Sequence, residues 1–275
     1  MYLDHFGLTE LPFSITPDTS FTVLTRSHQE ALNTLLVALH SGEGFIKITG
    51  EVGTGKSLLC RRLLQALPEG SVSAYLPNPF LAPRTLLLAL AEELGVTVDT
   101  KSDDYHLLKS VNHALLSYAA SERQVVVCID EAQAMPLETL ESLRLLSNLE
   151  TEKRKLLQIV LFGQPELDRK LAEPSVRQLL QRIAFHYRLS GLAREEIANY
   201  LAHRLRVAGY RGENVFGRHA VRCLHRASRG TPRLLNILAH KALLAVYGEG
   251  KHAVRAKHVR QAAADTEGAA STGWW

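Results

Sequence analysis

"GEVGTGKS", residues 50–57, lies between the apolar run "FIKIT" (45–49) and the amphipathic stretch "KSLLCRRLLQAL" (56–67). The first reads as a β-strand and the second as an α-helix, so the glycines fall where a strand turns into a helix. Gly50-x4-Gly55-Lys56-Ser57 matches the phosphate-loop pattern in full. Its glycines let backbone N–H groups turn inward, and the helix N-terminus adds about half an elementary positive charge. Lys56 can reach the outer phosphates of a nucleotide, and Ser57 can ligate Mg²⁺. The expected ligands are therefore ATP and Mg²⁺. The expected contacts are Gly50, Glu51, Val52, Gly53, Thr54, Gly55, Lys56, Ser57 and Leu58.

Four further stretches bear on that loop. "VVVCIDEAQ" (125–133) is a β-branched run of the kind buried in a parallel sheet, and it ends in two acids. A carboxylate there is costly unless it meets a cation, so Asp130 is the expected Mg²⁺ holder. Glu131 is the expected base that orients and deprotonates an attacking water. The pair argues for hydrolysis rather than nucleotide sensing. In "LFGQPEL" (161–167), Gln164 would project from the next strand's tip towards the γ-phosphate, or serve only as a turn residue before Pro165. "VRQLLQRIAF" (176–185) sets Arg182 just before the last strand, where an arginine could stabilise a phosphoryl group in transfer; Arg177 is second, and either could instead be a plain surface residue. "RGTPRLLN" (229–236) opens a helix with Arg233 in its first turn, against the helix dipole, which favours an anionic partner and phosphate over carboxylate.

Strands and helices alternate over residues 45–190, which predicts an α/β fold with a parallel sheet sandwiched by helices. From about residue 193 only helical patterns remain. The expected organisation is an N-terminal segment (1–24), a nucleotide-binding α/β domain (25–192), a small all-helical lid domain (193–266) and a disordered tail (267–275). Ser27 is the expected N-cap of the first long helix, with Glu30 three residues on. "TPDTS" (16–20) reads as turn, and the terminal "WW" is a weak candidate anchor at a membrane interface.

The chain has 275 residues, is 46% hydrophobic and has no apolar run near the roughly 20 residues of a transmembrane helix. Its start lacks the basic region of a signal peptide, and its three cysteines show neither disulfide nor zinc spacing. A cytoplasmic location is expected, with Cys60 and Cys128 as buried structural thiols. Net charge is +4, but residues 1–150 carry 10 basic against 18 acidic side chains, and the remainder 22 against 10. That asymmetry points to an anionic partner or to head-to-tail assembly of like chains. Residues 194–260 hold 14 Lys and Arg but 4 Asp and Glu. Because these cations are spread over several helices, without interleaved aromatics, contact with the next subunit is favoured over nucleic acid. A peripheral role at anionic lipid is a third option.

Taken in order, these elements resemble the AAA+ ATPases over residues 25–265. The resemblance implies a P-loop NTPase fold in which Lys56 and Ser57 form Walker A, Asp130 and Glu131 Walker B, Gln164 sensor 1, Arg182 the arginine finger and Arg233 sensor 2. Sensor 1 is more often Asn, Thr or Ser. "MYLDHFGLTELPFSITPDTSF" (1–21), "SHQEAL" (27–32), "GFIKITGEVGTGKS" (44–57) and "DEAQ" (130–133) resemble the ExeA/GspA group of bacterial secretion ATPases, and within it the mannose-sensitive haemagglutinin (MSHA) type of pilus-biogenesis ATPase. This implies a homo-oligomeric ATPase at the inner face of the inner membrane, serving membrane components of a type IV pilus or type II secretion machine. It also implies that Phe6, Leu8 and Phe13 pack near the adenine or else cover the core. Members that bind the cell wall carry a transmembrane helix after the lid; these 275 residues show neither feature, so that activity is not expected. The alternative function is a DNA-binding ATPase of the transposition-regulator type.

Overall fold

In a computed structural model, residues 2–15, 21, 23–97, 103–150 and 155–271 are described. The "TPDTS" turn and the "WW" pair lie outside them. The chain sorts into two compact units. The first comprises Glu30–Glu51 and Gly55–Leu189; the second comprises the chain up to Gln29, Val52–Thr54, and everything from Ser190 onward.

The first unit is built on five strands: β1 (Phe45–Gly50), β2 (Val72–Leu76), β3 (Val125–Ile129), β4 (Gln158–Gly163) and β5 (Ile183–Leu189). All pair in parallel, in the order β2-β3-β4-β1-β5. β1, β3 and β4 are buried along their whole length, as β-branched runs with helices on both faces must be. β5 lies at an edge and alternates exposed with covered residues.

Alternate residues of the central strands face opposite ways and are claimed by different helices. Val125, Val127, Ile129, Ile159 and Leu161 pack with α4 (Pro83–Glu93), α5 (Asp104–Ala120), α6 (Leu137–Leu146) and the short α7 (Glu166–Leu171) and α8 (Arg177–Leu180). Ile46, Ile48, Val126, Cys128, Val160 and Phe162 pack with α2 (Arg26–His40) and α3 (Lys56–Ala66). Cys60 and Cys128 meet in this second core, fully buried and unreactive. Their mutual hydrogen bond and burial push the Cys60 thiol's pKa well up. The first turn of α2 is capped by Thr25 rather than Ser27: the His28 N–H donates to Thr25 Oγ1 at 3.3 Å. Ser27 lies inside the helix, and its Oγ accepts the Ser190 N–H at 3.0 Å.

The second unit contains α9 (Arg194–Val207), α10 (Arg218–Ser228), α11 (Pro232–Gly248) and α12 (Ala256–Ala264), the four helices expected. Its core also takes in the N-terminal segment. Tyr2 and Phe6 of α1 (Tyr2–Phe6), with Leu8, Phe13 and Phe21, share one apolar cluster with Leu201, Leu235 and Leu243. Phe6, Leu8 and Phe13 are therefore core residues of this unit, the second of their two expected roles. Arg204 binds the segment down: its Nε donates to Pro12 O at 2.7 Å, and its guanidinium lies 5.0 Å from the Phe21 ring centre. Residues 267–271, expected in a loose tail, are anchored here by the Ala270 N–H to Ala227 O bond of 2.9 Å.

Candidate active site

In a parallel sheet the C-terminal ends of all strands share one edge, and the register shows which residues meet there. Thr49 pairs with Gly163, and Ile129 with Leu161. Gly50, the last residue of β1, is thus level with Gln164 just after β4, while Asp130 just after β3 is level with Phe162, two residues earlier on the neighbouring strand. The phosphate loop leaves from the same edge. Gly53 and Gly55 have φ of 80° and 96°, the left-handed region that only glycine enters cheaply. Gly55 caps α3 without any side-chain hydrogen bond, so the first N–H groups of that helix are uncapped at the loop.

Lys56 is 5% exposed, and its Nζ donates to Gly50 O at 2.8 Å and Glu51 O at 3.2 Å. Burial lowers its pKa, opposed by the negative charges of Glu131, Asp130, Glu51 and Glu166. It is thus a buried cation in an acidic surround, folded over a loop whose N–H groups suit an anion. Ser57 is exposed and makes no side-chain hydrogen bond among the described residues. Asp130 is 3% exposed; its Oδ1 accepts the Glu131 N–H at 2.9 Å, and its Oδ2 accepts the Tyr75 hydroxyl at 3.4 Å. The Tyr75 pKa is pushed up to about 12, first by burial and then by Asp130, so the hydroxyl stays a donor. A buried carboxylate and an exposed hydroxyl without a side-chain hydrogen bond among the described residues are donors of the kind a Mg²⁺ site takes from the protein, with phosphates and water completing it. The residues present fit MgATP.

Glu131 adopts the left-handed conformation at φ 52°, ψ 36° without being glycine, a strain typical of functional positions. A 3₁₀ turn, Ala132–Ala134, follows at once. Within it Gln133 acts as a bridge: its Nε2 donates to Glu131 Oε2 at 2.6 Å, and its Oε1 accepts the Gln164 N–H at 2.9 Å. Gln164 Nε2 donates to the same Glu131 oxygen at 3.1 Å. Lys170 staples the turn from below, donating to the carbonyls of Gln133 at 2.7 Å and Met135 at 2.6 Å. The sequence alone does not single out Gln133, Tyr75 or Lys170 as site residues. Only Gln133 carried a signal, as the amide two residues beyond Glu131.

Arg182 is elsewhere in this unit. It precedes Ile183, which pairs with Phe45 at the start of β1, whereas the loop follows Gly50 at its end. Its guanidinium donates to Ser147 Oγ at 2.6 Å. Arg182 therefore lies at the opposite end of the sheet from its own phosphate loop. Arg177 is exposed on α8 and has no partner among the described residues. Arg233 belongs to the helical unit, as does the loop tip Val52–Thr54. Its backbone N–H donates to Gly53 O at 3.3 Å, and a Cβ at Gly53 would sit 2.4 Å from Arg233 Cβ.

Residues 39–171 match a family model described as AAA domain. Over all 275 residues the chain is 42% identical to general secretion pathway protein A of Aeromonas hydrophila and spans half of that protein's length. Among solved structures, the ORC2 protein of Aeropyrum pernix aligns with 93% of this chain and 73% of its own, at 18% identity and a TM-score of 0.63. Cdc6p of Pyrobaculum aerophilum aligns with 91% of this chain and 71% of its own, at 16% identity and a TM-score of 0.65. At these identities the structural likeness concerns the fold. The strand order and the solved-structure likenesses give the chain a P-loop AAA-type fold, residues 39–171 are similar to an AAA domain, and the whole chain resembles half of general secretion pathway protein A.

Proposed function

We propose that this chain is a Mg²⁺-dependent ATPase whose cycle drives or regulates assembly of a type II secretion machine or an MSHA-like type IV pilus. The observation that carries the ATPase reading is Lys56, buried in an acidic surround and folded over an uncapped glycine loop. Mg²⁺, when bound, would neutralise phosphate charge between Ser57 and Asp130. Glu131 orients and deprotonates the attacking water, its carboxylate held by the amides of Gln133 and Gln164. Arg233 is the sensor 2 residue of this reading.

Arg182 has no route to its own loop, which supports a homo-oligomer in which it completes a neighbour's site. The secretion reading rests on the 42% identity to general secretion pathway protein A. No described helix is long and apolar enough to cross a membrane, and we place the chain at the inner face of the inner membrane, bound to membrane partners. Purified protein should turn over ATP, and Lys56→Ala should lose nucleotide binding. In the native bacterium, Glu131→Gln should block secretion or piliation. Unimpaired ATP binding by Lys56→Ala would remove the loop from its role, and normal secretion and piliation would sever the link to those machines.

A further inference from the structure

Helix α10 carries Arg218, His219, Arg222, His225 and Arg226 and no carboxylate. Arg229 follows as its left-handed C-cap. At 3.6 residues per turn, positions 218, 222 and 226 fall within an arc of about 80° and extend over roughly 12 Å of helix, with Arg229 at its C-terminal end. All four arginines are exposed, and among the described residues none makes an ion pair or a side-chain hydrogen bond. Neighbouring lysines are committed: Lys251 and Lys257 pair with Glu249, and Lys241 with Asp265. The other face of α10 (Ala220, Val221, Leu224 and Ala227) is locked in the unit's core, which fixes the arginines outward. The basic residues that the sequence spreads over several helices are thus gathered, four of them, into one ridge. Like charges one turn apart repel, so the ridge is stabilised by a polyanion laid along it.

We infer that the α10 ridge binds the phosphate backbone of double-stranded nucleic acid without reading its sequence. The four cations are arginines, whose planar fork matches phosphate oxygens. Arg218, Arg222 and Arg226 rise about 6 Å from one to the next, four residues at 1.5 Å each, and so can each meet a phosphate of a duplex, which carries a charge every ~1.7 Å of its axis. α10 carries no Phe, Tyr or Trp, the large rings on which single-strand surfaces chiefly stack bases, which favours a duplex. With its apolar face buried, α10 has nothing to insert into a bilayer. No described helix holds more than two carboxylates, so no helix of a second copy mirrors the ridge. This surface is independent of the ATPase reading, since neither Lys56 nor Glu131 takes part.

The test is fluorescence anisotropy of a labelled duplex of arbitrary sequence, titrated with the full chain between 50 and 200 mM NaCl, concentrations chosen on the order of the usual salt range. The logarithm of affinity should fall with the logarithm of salt at a slope of about −3.6, for four phosphates at 0.9 each. Combined Arg218→Ala, Arg222→Ala and Arg226→Ala should weaken binding at least about tenfold and flatten the slope by roughly three. Exposed Arg→Ala changes on a helix favour the helix, so this variant should fold, as far-UV circular dichroism and ATP turnover without DNA would verify. Combined Arg62→Ala, Lys109→Ala and Arg169→Ala, which removes the same charge elsewhere, should bind as the unaltered chain does. Equal loss in both variants would overturn the ridge. Failure to bind duplex at the lowest salt would overturn it as well. So would ridge-dependent binding confined to phosphatidylglycerol vesicles, which would give α10 to a membrane surface.

Discussion

At the scale of single residues, the site's chemistry turns on who holds the Glu131 carboxylate. Gln133 and Gln164 both donate to one of its oxygens, and Gln133 also accepts from the Gln164 backbone. Gln133→Ala should therefore lower ATP turnover by roughly tenfold, about 1.4 kcal/mol of transition-state stabilisation, with nucleotide affinity little changed. A loss of affinity equal to the loss of turnover would make Gln133 a binding or structural residue instead. Gly53 is a second test at this scale. Alanine there meets both a left-handed φ, costing about 1–2 kcal/mol, and Arg233 Cβ at 2.4 Å. Gly53→Ala should lower the melting temperature and weaken nucleotide binding together. Lys56, Ser57, Asp130 and Glu131 were legible because their motifs tie chemistry to fixed spacing. Tyr75 and Lys170 were not, because only the fold brings β2 and α7 to the site.

At the scale of elements, the five strands and the long helices follow from apolar periodicity, and the burial of β1, β3 and β4 matches their unbroken runs. What the sequence hid was α1, five residues that are too short to show a period. Its attachment is physical all the same. The Tyr2 hydroxyl and His240 Nδ1 lie 3.1 Å apart, and burial lowers the His240 pKa from its usual 6.5. A histidine depressed in the folded state favours unfolding once the unfolded chain takes up a proton that the folded chain refuses. Its stability is present above the unfolded value and is lost as pH falls below 6.5 towards the folded value. The melting temperature should therefore drop as pH is lowered from about 7.5 to 5.5, and His240→Gln should reduce that drop. An unchanged slope in the variant would clear His240. Arg204→Ala should cost about 1–3 kcal/mol at thermal or chemical unfolding by leaving buried carbonyls of the N-terminal segment unpaired, Pro12 O first.

At the scale of the whole molecule, sequence order distinguishes a strand-bearing stretch from a helical one but could not show that the N-terminal segment and the loop tip Val52–Thr54 group with the helical unit. Such groupings rest on contacts across nearly the whole chain, which local patterns do not encode. The placement of Arg182 has the same character: its motif gave the residue, and only the register of β5 on β1 set it at the far end of the sheet. If it serves a neighbour, Arg182→Ala protein should bind ATP yet turn it over slowly, and mixing it with Glu131→Gln protein should restore part of the activity. Normal oligomers without any recovery would argue against a shared site. The most direct test of the central claim separates binding from chemistry in Glu131→Gln, by measuring ATP affinity and steady-state turnover on the same preparation. Affinity close to that of the unaltered chain with turnover reduced at least about a hundredfold is the expected result for loss of a general base. Full turnover in that variant would contradict the account.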